Sequence, residues 1–212
     1  MTPPVSDRPD LMAALHPLSR VPDGPAWNRA ELTDFIAPDA ALIEAAVLVG
    51  LVPRATGTSV LLTRRTDLLR HHAGQVSFPG GRIEPDDADV VAAAVREAGE
   101  EIGLSPAQIV PLGYLDPLAT ITGFRVTPVV ATIASDYVAR PDPNEVAEVF
   151  EVPLSFVLTP SNLVARTVEL RGRPRHVLEF VNWEVSTQRI WGATASILWN
   201  LRVRLGGEGS QL

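Results

Sequence analysis

The chain has 212 residues, 46% of them apolar and 6% aromatic, enough for one domain with a substantial core. It contains no cysteine, and all 18 basic residues are arginine, so disulfides, thiolate nucleophiles, cysteine zinc sites, Schiff-base lysines and P-loop lysines are excluded. The net charge of −7 repels nucleic acid and anionic membrane unless bases gather locally, so an anionic substrate would need a metal or an arginine cluster.

Residues 1–40 are rich in proline and aspartate and read as an N-terminal extension packed on the domain. The first twenty lack a basic start followed by an apolar core, and the longest apolar runs are too short to cross a bilayer, so a cytoplasmic protein is expected. Arg29 to Ile36 suits a short helix. The domain proper is expected over 41–205, with 206–212 as a flexible tail. Ala45 to Val52 and Ser59 to Thr63 read as strands around a turn at Pro53 to Gly57. Val76 to Phe78 is a short strand running into Pro79-Gly80-Gly81. A helix follows, with Val91, Ala94, Val95, Ala98 and Ile102 at the spacing of a buried face. Asp86 or Asp87 suits its N-cap and Gly103 its C-cap. Val110 to Leu115 and Val126 to Ile133 read as strands, and Asp116 to Phe124 and Arg140 to Asn144 as loops. Pro153 to Leu158 suits a short helix. Ala165 to Leu170 and Val177 to Val181 suit a hairpin, and Thr194 to Arg204 a closing helix with Ile197, Leu198 and Leu201 inward. Strands interspersed with two long helices predict an α/β (α+β) sandwich.

The chemistry concentrates in Gly74 to Leu104. Glu97, Glu100 and Glu101 fall on one side of the helix, away from the apolar stripe. Like charges at these spacings cost roughly 0.2–0.5 kcal/mol per pair, and Gly99 costs about 1 kcal/mol relative to alanine. A solvated acidic face would also carry three glutamates, but the glycine turn before the helix and Arg96 beside the acids favour a site. Clustered carboxylates suit a hard divalent cation such as Mg²⁺, shared with substrate phosphates. The backbone at Gly80-Gly81 can approach it closely. The chemistry indicated is metal-assisted attack of water on a phosphoryl group. Just upstream, Arg64, Arg65, Arg70, His71 and His72 form the densest positive cluster, suited to phosphate contacts. Pairing of some of these arginines with the acids of residues 84–89 is the plainer alternative.

The stretch from Gly81 to Leu104 resembles the Nudix box, G-x5-E-x7-R-E-U-x-E-E-x-G-U, in which U is a bulky aliphatic residue. Arg96-Glu97, Glu100-Glu101, Gly103 and Leu104 match its second half, with Ala98 at the first U. The first half carries one extra residue, so Asp87, Glu84 or Asp86 could take the place of the acid that pairs with the box arginine. Leu61 to Gly81 resembles the further signature of the coenzyme A pyrophosphatase branch, L-L-T-x-R-[SA]-x3-R-x3-G-Q-x2-F-P-G-G. Arg65, Arg70, Gly74, Gln75 and Phe78 to Gly81 fall on it, with Thr66 where serine or alanine is usual.

The resemblance implies an α/β/α sandwich with a mixed sheet, and Mg²⁺- or Mn²⁺-dependent cleavage of coenzyme A to 3′,5′-ADP and 4′-phosphopantetheine. On it, Glu97 and Glu101 are expected to hold the principal metal, with the Gly81 carbonyl nearby and Glu100 on a second ion or bridging water. Arg96 is expected to orient a glutamate. Glu100, Glu145 or Glu148 could act as general base, the last two following a flexible loop that could close on the site. Arg64, Arg65, Arg70, His72 and Gln75 are the expected substrate contacts, with Arg65 or Arg70 on the 3′-phosphate. The expected partner is a small molecule, with no nucleic acid or membrane and a possible homodimer. Another nucleoside diphosphate substrate (ADP-ribose or a dinucleotide), a nucleotide sensor without turnover, and a scaffold whose acidic helix meets a basic partner are the other readings.

Overall fold

Strand β1 (Ile43–Arg54) is apolar on both faces, and that is what makes it central. Ala45, Val49 and Leu51 point into one core layer, and Ala46, Leu48 and Val52 into the other. The same period of two recurs in β2 (Gly57–Arg65), where Val60 and Leu62 face one layer and Leu61 the other. The computed structural model describes residues 9–69, 72–170, 172–182 and 188–206.

The two strands make a hairpin closed by Ala55 and Thr56, with Arg54 opposite Gly57. On its other side β1 runs parallel to β7 (Phe124–Ile133). The remaining pairings are antiparallel, so the large sheet is mixed. The path through it is β3 (Val76–Ser77), β2, β1, β7, β5 (Ile109–Tyr114). Off that path, β4 (Gly80–Arg82) pairs with β1, β6 (Leu118–Ala119) with β7, and β8 (Val146–Pro153) with β2. Helix α2 (Val90–Ile102) covers one face through Ala93, Ala94, Ala98 and Ile102. The other face is covered by α1 (Pro9–Ala14), α3 (Leu154–Leu158) and α4 (Gly192–Arg204), through Leu11, Leu154, Val157, Ala195, Leu198 and Leu201. A small second sheet, β9 (Leu163–Leu170), β10 (Arg173–Phe180) and β11 (Ile190–Trp191), closes that side. The expected α/β sandwich is what the chain forms.

The N-terminal stretch is woven onto this frame. Asn28 exchanges two 2.8 Å hydrogen bonds with the backbone of Ala119, His16 bridges to Tyr114, and Trp27 packs at a tilt against Trp199 with ring centroids 5.2 Å apart.

Several elements differ from expectation. The helix expected over Arg29 to Ile36 is a single 3₁₀ turn, Arg29–Leu32. The Asp116 to Phe124 loop contains β6. Asn144 to Glu148, expected to follow a flexible loop, runs into β8, which begins at Val146. There Val146 packs into one core layer and Val152 into the other, across the bulge opposite Arg64 and Arg65, while Glu148 is exposed on a strand paired with β2. The N-cap of α2 is Asp89, whose carboxylate accepts from Ala92 N at 2.8 Å, and not Asp86 or Asp87. Gly103 ends the helix in the left-handed region at φ 70°, as its position suggested.

Candidate active site

The site forms where β4 slides beneath α2. Ala46 lies opposite Gly81 and Val47 opposite Gly80, while Leu48 N donates to Pro79 O at 2.8 Å. Gly80 is required by close approach of backbone, and Gly81 leaves space that a helix side chain fills. At Gly80, with φ 155°, a Cβ would meet Val47 Cα at 2.6 Å and press on Ala46 O. At Gly81 a Cβ would fall on the Glu97 carboxylate. The turn therefore brings bare backbone against a helix side chain.

The expected stripe of Val91, Ala94, Val95, Ala98 and Ile102 does face the core, but the buried face of α2 is wider than expected. Its buried residues are Ala93, Ala94, Ala98, Glu101 and Ile102, so the inward stripe extends to the glutamates. Glu101 is on the buried face, with 2% of its side chain exposed; Glu97 shows 15% and Glu100 60%. Glu101 accepts from Gly80 N at 3.2 Å and lies 3.5 Å from Arg65 Nη1. Burial pushes its carboxyl up to about 7, against the pull of Arg65 and the Gly80 N–H, and the charges of Glu97 and Glu145 push the same way. Burial also raises Glu97, against Arg96, with Glu100 and Glu145 adding to the rise.

Arg96 is the organiser of the loop before the helix. Its Nε and Nη2 grip Asp87 at 2.9 and 3.0 Å, Nη2 also reaches Arg82 O at 3.0 Å, and Nη1 touches Glu97 at 3.1 Å and Glu100 at 3.0 Å. Of the three acids that could pair with Arg96, the pairing residue is Asp87, whose carboxyl this hydrogen bonding holds below its usual range.

The loop carrying Glu145 is not free to swing. Arg140 N donates to Ile102 O at 2.8 Å and Asp142 N to Glu101 O at 2.9 Å, so it satisfies carbonyls that the end of α2 leaves open. Thr66 N donates to Glu145 O at 2.9 Å, which ties the same loop to the end of β2. Glu145 is exposed and within electrostatic reach of both Glu97 and Glu101. Glu148 instead accepts from Gln188 at 3.0 Å.

The upstream arginines separate. Arg64 pairs with Asp67 at 3.0 Å, while Arg65 leans on Glu101, so neither pairs with residues 84–89. His72, with φ 58°, is hydrogen-bonded to Gln75 at 2.8 Å, and Gln75 O accepts from Arg65 N at 2.9 Å. Arg70 and His71 lie outside the described residues. Sequence reasoning missed Asp67 as the partner of Arg64, although an acid three residues after an arginine was the available signal.

Among the described residues, no three histidine or acidic side chains already converge at ligand distances. What exists is an all-oxygen set around Gly80-Gly81, with two carboxyls raised by burial first and by neighbouring carboxylates second. A bound divalent cation would reverse both shifts. The residues therefore fit a hard metal ion that draws Glu97 and Glu101 together.

Residues 44–171 match the NUDIX domain family. Over 165 residues the chain is 40% identical to an uncharacterized Nudix hydrolase, NudL, of Klebsiella pneumoniae subsp. pneumoniae, covering 78% of this chain and 84% of the relative. Its counterpart in Pectobacterium atrosepticum is 41% identical over 162 residues, covering 76% of this chain and 82% of the relative. Among solved structures, a Nudix hydrolase from M. smegmatis, RenU, is 28% identical with a TM-score of 0.46, covering 55% of this chain and 73% of that one.

Proposed function

Because the chain belongs to the Nudix family and is a Nudix hydrolase, we propose that it cuts the pyrophosphate bond of coenzyme A or its derivatives, giving 3′,5′-ADP and 4′-phosphopantetheine. The observation that carries this reading is a juxtaposition. The segment resembling the coenzyme A signature, Leu61 to Gly81, runs from β2 through β3 into β4 and brings Arg65 and Gly80-Gly81 against Glu101 and Glu97. This adjacency supports reading signature and carboxylates as one site.

Glu97 and Glu101 would hold Mg²⁺ or Mn²⁺ together with the Gly81 carbonyl. Such an ion, when bound, neutralises diphosphate charge and acidifies the attacking water. The chain's own residues do the rest. Arg96, fixed by Asp87, positions Glu97 and Glu100. Glu145, held at the mouth by its backbone, is the proton acceptor; Glu100 is engaged by Arg96, and Glu148 is turned to Gln188. Arg65 and Gln75 are the side chains assigned to the substrate phosphates.

The test is mass analysis of coenzyme A incubated with the protein and Mg²⁺ in water enriched in oxygen-18. The two named products, with label in one only and none formed in excess EDTA, are expected. Intact coenzyme A beside turnover of ADP-ribose or a dinucleotide would replace this substrate. Binding without turnover of any of them would mark a sensor.

A further inference from the structure

We propose that Arg65 is a built-in counter-cation for Glu101, held there while the metal is absent and released to the substrate diphosphate when a metal takes the carboxylate. This inference rests on the metal reading above. The two arginines that touch the acidic cluster are held in different ways. Arg96 has a bidentate grip on Asp87 at 2.9 and 3.0 Å and three further contacts, so it cannot leave without breaking the loop before α2. Arg65 has, among the described residues, a single side-chain ion pair, to Glu101 at 3.5 Å. That is longer than the roughly 2.7–2.9 Å of a charge-assisted hydrogen bond, so the pair is Coulombic and easily exchanged.

The surroundings suit a moving guanidinium on a fixed base. The Arg65 backbone is anchored by its N–H to Gln75 O at 2.9 Å, at a bulge in the β2–β8 ladder. Its side chain is 25% exposed, which leaves room toward solvent, whereas Glu101 is 2% exposed and has none. The partner that can move is therefore the arginine. A buried carboxylate without a cation is costly, so the ionised form of Glu101 is favoured by a positive charge beside it. Arg65 supplies that charge before metal binding and would be repelled by the ion that replaces it. The nearest anion it could then meet is the diphosphate on the same ion. Metal and diphosphate would thereby bind with positive coupling through one side chain.

The test is Mn²⁺ binding to metal-free protein, by calorimetry and by the loss of the free-ion paramagnetic resonance signal. Wild type is compared with Arg65→Met, which keeps length and loses charge, and with Arg65→Lys. Arg65→Met is expected to bind Mn²⁺ roughly five- to tenfold more tightly, the lower end of ordinary coupling between sites, because no cation has to be displaced. Methylene-bridged ADP should tighten Mn²⁺ in wild type and do so much less in Arg65→Met, with Arg65→Lys in between. Thermal unfolding supplies a second readout: metal-free Arg65→Met should melt lower than wild type and gain more from Mn²⁺. Equal Mn²⁺ affinity and equal nucleotide coupling in wild type and Arg65→Met would overturn the proposal while leaving the metal site standing. Failure of wild type to bind Mn²⁺ would remove both.

Discussion

A carboxylate with 2% of its side chain exposed has lost most of its hydration, and among the described residues Glu101 has one N–H and one distant guanidinium in its place. Its removal should therefore be tolerated by the fold and not by the chemistry. We expect Glu97→Gln and Glu101→Gln to keep their melting temperatures while turnover falls more than about a hundredfold, since a metal centre contributes several kcal/mol to the transition state. Near-normal turnover of both at saturating Mg²⁺ would remove them as ligands. The two glycines beneath separate the same effects. Gly81→Ala pushes on the flexible Glu97 carboxylate and should cost activity more than stability. Gly80→Ala pushes on the β1 backbone and should lower the melting temperature first. How much of this was legible differs residue by residue. The four-residue spacing of Glu97 and Glu101 put them on one side of a helix. It could not show that this side was buried, because three alanines at 93, 94 and 98 widen the stripe that approaches the sheet. Asp87 was one of three candidates, and only the path of the loop selects it.

Elements with both faces apolar, such as β1, β2 and β7, were legible because their hydrophobic runs fit nothing else of that length. Strand β8 was not. Its Glu148 and Glu151 break the run, and what makes it a strand is non-local: pairing with β2, and the capture of Glu151 by Arg54 and by Tyr137 at 2.7 Å. Helix α2 shows the same division, since its body was clear and its first residue was not. Two substitutions of opposite sign follow at its ends. Asp89→Ala removes the cap on Ala92 N and should cost about 1 kcal/mol. Gly99→Ala should stabilise by roughly 0.5–1 kcal/mol, because a Cβ there meets only Leu104 O at 3.4 Å in an otherwise regular helix. Denaturant unfolding of both variants checks the pair, and a destabilised Gly99→Ala would mean that the helix needs its glycine for a close approach not visible in the free protein.

At the scale of the whole molecule, the N-terminal stretch, the end of β5 and the last helix meet on one carboxylate. Asp116 accepts from Asn200 at 2.8 Å and from Arg204 at 2.9 and 3.0 Å, and lies 2.8 Å from His16 Nε2; Arg204 also holds Ala14 O. Residues nearly two hundred positions apart are joined here, so no local pattern could have announced it. Burial alone would raise this carboxyl, but the hydrogen bonds from His16, Asn200 and Arg204, with the Arg204 charge, overcome it and hold it below the usual carboxylate range. The sign of the linkage follows. A depressed folded value means that protonation favours the unfolded chain, so the stabilisation is complete above the unfolded value of about 3.9 and is lost as pH falls below it. Asp116→Asn should lower the melting temperature at neutral pH and flatten its decline below about pH 4. The remaining acid sensitivity belongs to Asp87, Glu151 and Glu179, whose carboxyls arginines also hold low. Melting curves of wild type and variant across that range decide it: parallel declines would show that Asp116 joins the three segments without contributing to the acid transition.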